Sequence, residues 1–197
     1  YLHHYEFSRF LIIDPQTFDT LGFGYVDYSL DRGSNISKET FPKATNINPV
    51  CLWLTGLSGS GKSTLAHALA VELKKRDIPF YNLDGDTLRS TINKDLGFSE
   101  SDRSENLRRT AHIAKILQQA GVLPIVSTIS PSAASREFAR SLFEEDIFYE
   151  VYIKASLKEC IRRDPKKIYS NEKKIKNITG LHAAYEEPLN PDLIIDT

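Results

Sequence analysis

The sequence predicts a three-layer α/β domain, with helices on both faces of a mostly parallel sheet, preceded by an N-terminal β-hairpin. From residue 50 onward, short apolar runs typical of strands alternate with segments of helical periodicity, which is the order of parallel βαβ units. Between the first apolar run and the first helical segment lies a glycine-rich turn, residues 56–63. It matches the phosphate-binding pattern of a glycine, four residues and Gly-Lys-Ser. The pattern and both flanks predict a fold of the P-loop NTPase type.

Composition limits the alternatives. The chain has 197 residues, of which 41% are hydrophobic, which suits one domain of ordinary size with an appendage. A net charge of −1 gives no reason to expect nucleic acid or an anionic membrane as partner. No apolar stretch has membrane-spanning length, no signal peptide is visible, and the two cysteines fit a reducing cytoplasm better than a disulfide framework. A start at Tyr1 without any Met suggests a piece of a longer product.

The first 30 residues predict the β-hairpin, with strands at 9–13 and 18–26 joined by a turn at 14–17. A lone hairpin is marginally stable, so we expect it to pack on the downstream domain or to end an upstream β-barrel domain. The polar residues 31–49 predict a linker. The P-loop domain then covers residues 50–197.

Within that domain we expect strands at 50–54, 79–83, 122–129, 148–153 and 193–195. We expect helices at 64–73, 101–120 and 132–143, and a short helix after Ser156. Ser99 and Asp102 fit a capping box for the long helix. One face of that helix carries Leu107, Ala111, Ala114 and Leu117.

The turn at 56–63 predicts a site for a nucleotide tail. Its glycines allow backbone N–H groups to face phosphate oxygens, and the following helix N-terminus adds partial positive charge. Lys62 can reach the β- and γ-phosphates, and the hydroxyl of Ser63 can ligate Mg²⁺.

Two carboxylates, Asp84 and Asp86, follow the second strand of this domain, at the sheet edge where α/β proteins bind ligands. One can hold Mg²⁺ through its waters and one can orient or deprotonate an acceptor hydroxyl. A turn with a helix N-cap is the alternative interpretation, but the neighbouring phosphate loop favours function.

A third cluster lies at residues 96–109. Arg103 and Asn106 share a helix face, where they suit an anion and a nucleobase or hydroxyl, and Phe98 could stack on a base. Composition alone favours a solvated charged helix face. The basic segment 162–176 is equally compatible with a mobile lid over phosphates and with a solvated loop.

Seven motifs together resemble those of the adenylyl-sulfate kinase (APS kinase) family, in the family's order and at nearly its spacing, over about residues 48–197. They are Gly-Leu-Ser-Gly-Ser-Gly-Lys-Ser at 56–63, Leu-Asp-Gly-Asp at 83–86, Asn-Lys-Asp-Leu-Gly-Phe at 93–98, Asp-Arg-Ser-Glu-Asn-Leu-Arg-Arg at 102–109, Ile-Ser-Pro at 129–131, Arg-Asp-Pro-Lys at 163–166 and Thr-Gly at 179–180. The resemblance implies transfer of the γ-phosphoryl group of MgATP to the 3′-hydroxyl of adenosine 5′-phosphosulfate (APS), giving 3′-phosphoadenosine 5′-phosphosulfate (PAPS).

The resemblance also implies residue roles. For ATP they are Gly56, Leu57, Ser58, Gly59, Ser60, Gly61, Lys62, Ser63, Thr64 and Arg163. For APS they are Asp84, Arg89, Phe98, Arg103, Asn106, Ile129, Ser130, Lys166 and Ile178. Lys62, Asp84, Asp86 and Ser130 would be catalytic, and Ser63 and Asp84 would hold the metal. Ser130 occupies the family's phosphoserine position, but direct in-line transfer requires no covalent intermediate.

Several positions depart from the family pattern. Thr87 replaces Asn, Ile178 replaces the Phe that would form the second wall of the acceptor's adenine site, and the lid is about two residues shorter. Because these changes surround the acceptor lid, a P-loop kinase for another nucleotide-linked acceptor is the first alternative. A non-catalytic APS- or PAPS-sensing domain is the second, although its phosphate loop would be expected to be eroded. A GTPase is disfavoured because the Asn-Lys-x-Asp signature is absent.

Residues 9–14 faintly resemble the last hairpin of the GTP-binding subunit of bacterial sulfate adenylyltransferase, which some relatives fuse to an APS kinase domain. Fusion or association with that enzyme and a plain N-terminal extension are both compatible with the sequence. The family resemblance further implies a homodimer.

Overall fold

The computed structural model describes residues 7–13, 20–27, 49–172 and 177–197, the first two ranges as backbone. The chain divides into two compact units, Tyr1–Phe41 and Pro42–Thr197. In the first unit, β1 (Phe7–Ile13) pairs antiparallel with β2 (Thr20–Asp27), as the predicted hairpin requires. The turn at 14–17 and the predicted linker, apart from Pro49, lie outside the described residues. The barrel and linker assignments therefore stay predictions.

The second unit alternates strands and helices. Its elements are β3 (Cys51–Thr55), α1 (Lys62–Lys75), β4 (Phe80–Asp84), α2 (Gly85–Ser90), α3 (Glu100–Gln119), β5 (Leu123–Ser127), α4 (Ala133–Ser141), β6 (Phe148–Lys154), α5 (Leu157–Arg163) and β7 (Leu193–Asp196). The five strands form one sheet in the order β4-β5-β3-β6-β7, and every pairing in it is parallel. The α/β prediction is thereby confirmed.

Alternation along the strands produces the three layers. Cys51 and Trp53 of β3 face a core shared with the buried side of α3 and with Ala139 of α4. Leu54 faces the opposite core, in which Ala66 of α1 packs. On α3 the predicted face is correct: Leu107, Ala111 and Ala114 are buried, and Leu117 packs against them.

Side-chain caps fix where the helices begin. Ser99 accepts the N–H of Asp102 at the start of α3 at 3.1 Å. Ser156 does the same for Glu159 at the start of α5 at 3.2 Å. These caps explain why the sequence located both helices to within a residue or so.

The chain leaves β3 toward β4 on one side, and later returns across β3 to β6 on the other. The carboxyl end of β3 is thus the topological switch point, the usual ligand crevice of such sheets. In the part of the chain that the structure describes, no helix has both the length and the hydropathy to cross a bilayer.

Candidate functional site

A cavity of about 690 Å³ opens at this edge of the sheet. It brings together most of the predicted site residues, namely Ser58, Gly59, Gly61, Lys62, Ser63, Thr64, Asp84, Asp86, Arg89, Phe98, Arg103, Asn106, Ile129, Ser130, Arg163, Lys166 and Ile178. Gly56, Leu57 and Ser60 belong to the same loop but do not line the cavity. These three residues lie on the side of the loop that faces away from the cavity.

The glycines of the loop are required by its backbone. Gly61, the N-cap of α1, has φ 106°, and Gly56 has φ 147°, both in the region that favours glycine. A Cβ on Gly56 would lie 2.5 Å from the carbonyl oxygen of Ile153 in β6. The loop can therefore lie against β6 only with glycine at this position.

Lys62 is buried within the loop. Its ammonium donates to the carbonyls of Gly56 at 2.8 Å and Leu57 at 2.7 Å. Burial, with a smaller contribution from the neighbouring Lys166, lowers the pKa of Lys62 to about 8, and nearby groups that include Asp84 and Asp86 oppose the shift. A polyphosphate would compensate such a desolvated cation well.

Asp84 connects the acidic cluster with the phosphate loop. The Ser63 hydroxyl donates to its Oδ2 at 3.2 Å, and the Ser127 hydroxyl does the same at 3.2 Å. Its Oδ1 accepts the N–H of Asp86 at 3.0 Å and caps α2. The cap interpretation and the functional one are therefore compatible in this residue.

The donor atoms fit Mg²⁺. A hydroxyl oxygen and a carboxylate oxygen lie side by side in Ser63 and Asp84, and Mg²⁺ typically takes one or two protein oxygens, with water and substrate phosphates completing its shell. Within the described residues, no group of three or more His, Cys, Asp and Glu side chains could hold a metal alone. The pair therefore suits a cation that arrives with phosphates.

Asp86 lies in the first turn of α2 and is largely exposed. Its carboxylate forms an ion pair with the ammonium of Lys166. This pair joins the second acidic residue to the basic segment after α5.

Phe98 is exposed, and the guanidinium groups of two arginines lie near its ring. Arg89 lies 4.5 Å and Arg103 5.8 Å from the ring centroid, within range of cation–π attraction. Burial lowers the pKa of both arginines, and Arg89 lowers that of Arg103 further. An exposed aromatic face beside two partly desolvated cations suits a nucleotide with an anionic tail.

The side chain of Asn106 is buried, whereas composition alone favoured a solvated charged helix face at this position. Its Oδ1 accepts a hydrogen bond from Asn93 Nδ2 at 2.8 Å, which fixes the direction of the amide. Arg103 is also held from outside its helix, since it donates to the Thr179 hydroxyl at 2.8 Å.

Ser130 is almost completely buried. Its hydroxyl oxygen accepts from Trp53 Nε1 at 3.0 Å and shares a hydrogen bond with Thr128 Oγ1 at 2.7 Å. The carbonyl of Ile129 accepts the Thr55 hydroxyl at 2.8 Å and the Gly56 N–H at 3.4 Å. The Ile-Ser-Pro loop is therefore continuous with the start of the phosphate loop.

The segment after α5 is attached to the phosphate loop. The Tyr169 hydroxyl donates to the Ser58 carbonyl at 3.0 Å. Tyr169 and Ile178 are buried together with Cys160, and Leu57 packs against them. Arg163 is held beside this cluster by Glu159 at 2.7 Å.

Sequence reasoning missed five supporting residues: Ser127, Asn93, Thr179, Tyr169 and Arg136. Asn93 and Thr179 lie within motifs that were noted, so their presence was visible but not their contacts. Ser127 and Tyr169 had no distinguishing pattern. Arg136 was indistinguishable from a surface arginine on an amphipathic helix, yet it is 3% exposed.

Comparison with known proteins agrees with this geometry. Residues 48–196 match the family described as adenylylsulphate kinase. A probable adenylyl-sulfate kinase of Halalkalibacterium halodurans is 53% identical over 164 residues, covering 82% of this chain and 79% of that protein. The bifunctional enzyme NodQ of Rhizobium sp. (strain BR816) is 43% identical over 203 residues, covering 96% of this chain but only 31% of that protein.

A solved structure gives the same result. The APS kinase CysC of Mycobacterium tuberculosis, in complex with AMPPNP and APS, is 44% identical and superimposes with a TM-score of 0.72. The match covers 76% of this chain and 88% of that chain.

Proposed function

Because this chain belongs to the adenylylsulphate kinase family, we propose that it transfers the γ-phosphoryl group of MgATP to the 3′-hydroxyl of APS, producing ADP and PAPS. The observation that carries the proposal is the contact of Ser63 and Asp84 in a cavity that Lys62 and Phe98 also line. A phosphate-binding loop, a carboxylate and an exposed aromatic ring in one cavity support transfer of a phosphoryl group to a nucleotide acceptor.

On the donor side, the amides of the phosphate loop and the N-terminus of α1 bind the ATP phosphates. When ATP binds, the Lys62 ammonium replaces its hydrogen bonds to the loop carbonyls with hydrogen bonds to phosphate oxygens, and it stays protonated. Arg163 contacts the nucleotide from the end of α5. Ser63 and Asp84 would hold Mg²⁺, which would neutralise charge on the phosphates.

On the acceptor side, Phe98 stacks the adenine, and Arg89, Arg103, Asn106 and Lys166 hold the phosphosulfate and adenosine. Ile129, Ser130 and Ile178 line the pocket. Asp84 orients the 3′-hydroxyl and accepts its proton as the bond from oxygen to the γ-phosphorus forms and the bond to the β-γ bridging oxygen breaks. Asp86 keeps the Lys166 ammonium beside the transferred group.

The decisive experiment is a coupled assay of ADP release from MgATP with and without APS, with identification of the 3′-phosphorylated product. Lys62→Ala and Asp84→Asn should each abolish transfer while the circular dichroism spectrum stays unchanged. Lys75→Ala is the matched control, because Lys75 ends the same helix and pairs only with exposed Glu72 among the residues described. Turnover retained in either site variant would contradict the residue assignment.

The same assay separates the alternatives. If ADP forms only with a different nucleotide-linked acceptor, the chain is a kinase of this family with a different acceptor. The presence of Ile178 where the family has Phe would be consistent with that result. If MgATP does not bind in calorimetry, a sensing role is the better interpretation.

We further propose a cytoplasmic location, a homodimer, and fusion or association with sulfate adenylyltransferase. Support for the last comes from the NodQ relative, a bifunctional enzyme of which this chain spans 31%. Sedimentation of the purified chain tests the dimer.

A further inference from the structure

The loop of residues 129–131 has a backbone conformation that must be held by contacts with neighbouring residues. Ser130 has φ 48°, in the left-handed region that residues other than glycine seldom adopt. Such conformations persist only where neighbouring groups hold them, and they gather at functional sites. The contacts of this loop therefore indicate what sets its geometry.

Arg136 of α4 contacts this loop and two other parts of the fold. Its Nη1 donates to the Ser130 carbonyl at 2.6 Å, and its Nη2 donates to the Glu186 carbonyl at 2.7 Å. Its Nε lies 2.7 Å from a carboxylate oxygen of Glu150 in β6. A single buried guanidinium thus joins the loop, the segment before β7 and the central sheet.

Glu186 holds the loop from the other side. Its N–H donates to the Pro131 carbonyl at 2.9 Å, and its carboxylate accepts the N–H of Ala133 at 2.6 Å. The loop is consequently held between α4 and the segment containing Glu186.

We propose that Arg136 is a positioning residue for the acceptor, acting by fixing the Ser130 carbonyl and with it the pocket-lining Ile129 and Ser130. The inference rests on the proposed function, in which those two residues contact APS. No part of Arg136 is among the described lining of the cavity, so it acts through the loop. Lysine cannot replace it, because one ammonium does not reproduce a planar fork with three partners.

Arg140 is a matched control on the same helix. It lies 3.7 Å from Glu150 and 2.6 Å from Asp192, and it also donates to the Phe148 carbonyl at 3.2 Å. All three partners lie outside the loop. Replacing Arg140 therefore disturbs the same ionic network without releasing residues 129–131.

Trp53 supplies a readout that needs no catalysis. It is the single tryptophan of the chain, it is fully buried, and its indole N–H donates to the Ser130 hydroxyl at 3.0 Å. Its emission wavelength should therefore report whether the loop keeps its place.

The test compares Arg136→Lys with Arg140→Lys. Arg136→Lys should raise the KM for APS about tenfold or more, the usual effect of losing a charged hydrogen bond. It should leave the KM for MgATP unchanged and shift Trp53 emission to the red. Arg140→Lys should lower Tm without changing either KM or the emission.

Glu186→Ala is a second variant, and because Glu186 is exposed it should fold even if Arg136→Lys does not. It should change the APS KM and the emission in the same direction, to a smaller extent. The inference is overturned if Arg136→Lys or Glu186→Ala folds and keeps the wild-type APS KM and emission. If wild type shows no turnover with APS, the proposed function fails, and the emission comparison still decides whether Arg136 positions the loop.

Discussion

Gly56 shows how one missing side chain supports the phosphate loop. Its φ of 147° and the carbonyl of Ile153 beside it leave no room for a Cβ. The residue does not line the cavity, so its role concerns the loop's support and not ligand contact.

We expect Gly56→Ala to lower the free energy of unfolding by about 1–3 kcal/mol, because it adds backbone strain and a steric clash. Chemical denaturation measures this. Gly85→Ala is the control, since its nearest neighbour, a methyl carbon of Thr128, would be 3.3 Å from the new Cβ. Equal stability of the two variants would contradict the explanation.

Tyr169 shows how the segment after α5 is attached to the glycine-rich loop at 56–63. Tyr169→Phe removes only the hydroxyl that donates to Ser58, and burial already raises the pKa of this phenol to about 12, so it is neutral. We expect the KM for MgATP to rise severalfold, as the loss of one hydrogen bond of about 1 kcal/mol implies. Steady-state kinetics should show no such change for Tyr149→Phe, whose side chain is 38% exposed.

Much of the site at this scale could be predicted, because phosphate binding restricts the residue types within one short segment. The Gly-Lys-Ser turn and the two aspartates needed no knowledge of distant contacts. The contacts of Tyr169 and Arg136 could not be predicted, since each depends on partners that only the folded chain brings near.

On the scale of elements, α3 has one face in the core and another that lines the cavity. Its charged outer side forms a network in which Arg109 binds Glu105 at 2.9 Å and Asp95 at 2.8 Å. Hydrogen bonds from Arg108 and Arg109 lower the pKa of Glu105 to about 2 from an ordinary 4.5. The solvated charged face that composition favoured is therefore present, beside Arg103 and Asn106 and not in place of them.

This network predicts a dependence of stability on pH. A carboxylate with a lowered pKa stabilises the fold above its unfolded value and loses that contribution as pH falls through the folded value. Glu105→Gln should therefore have a lower Tm than wild type at pH 7, and the difference should disappear between about pH 4.5 and 2. A difference that stays constant across this range would exclude the electrostatic explanation.

Element boundaries were predictable wherever a cap marked them, as Ser99 and Ser156 show. They were less so in the strands: residues 122–129 were expected to form one strand, but β5 covers only Leu123–Ser127. The remaining residues turn into the Ser130 loop, and nothing local distinguishes Thr128 and Ile129 from strand residues.

At the scale of the whole molecule, the two compact units contribute unequally to the candidate site. The described cavity lies wholly within Pro42–Thr197, and the family match begins at residue 48. A shortened chain of residues 42–197 should therefore keep the kcat and the KM values of the full chain. Loss of turnover in a folded shortened chain would show that the hairpin contributes to catalysis.

The fold class could be predicted from alternating strands and helices, but the order of strands could not. A pattern of apolar residues reports which segments form strands, whereas neighbours are decided by how connections cross the sheet. The central position of β3 in the sheet is therefore known only from the structure.

That central position has a consequence during synthesis on the ribosome. Of the five strands in this sheet β3 is translated first, but its two partners are β5 at residues 123–127 and β6 at residues 148–154. Until both have emerged, a strand with two unpaired edges and an apolar sequence is exposed to other nascent chains, and such long-range parallel pairing is slow. Co-expression of a holdase chaperone, which would shield β3 until β6 has been made, should therefore raise the yield of soluble protein.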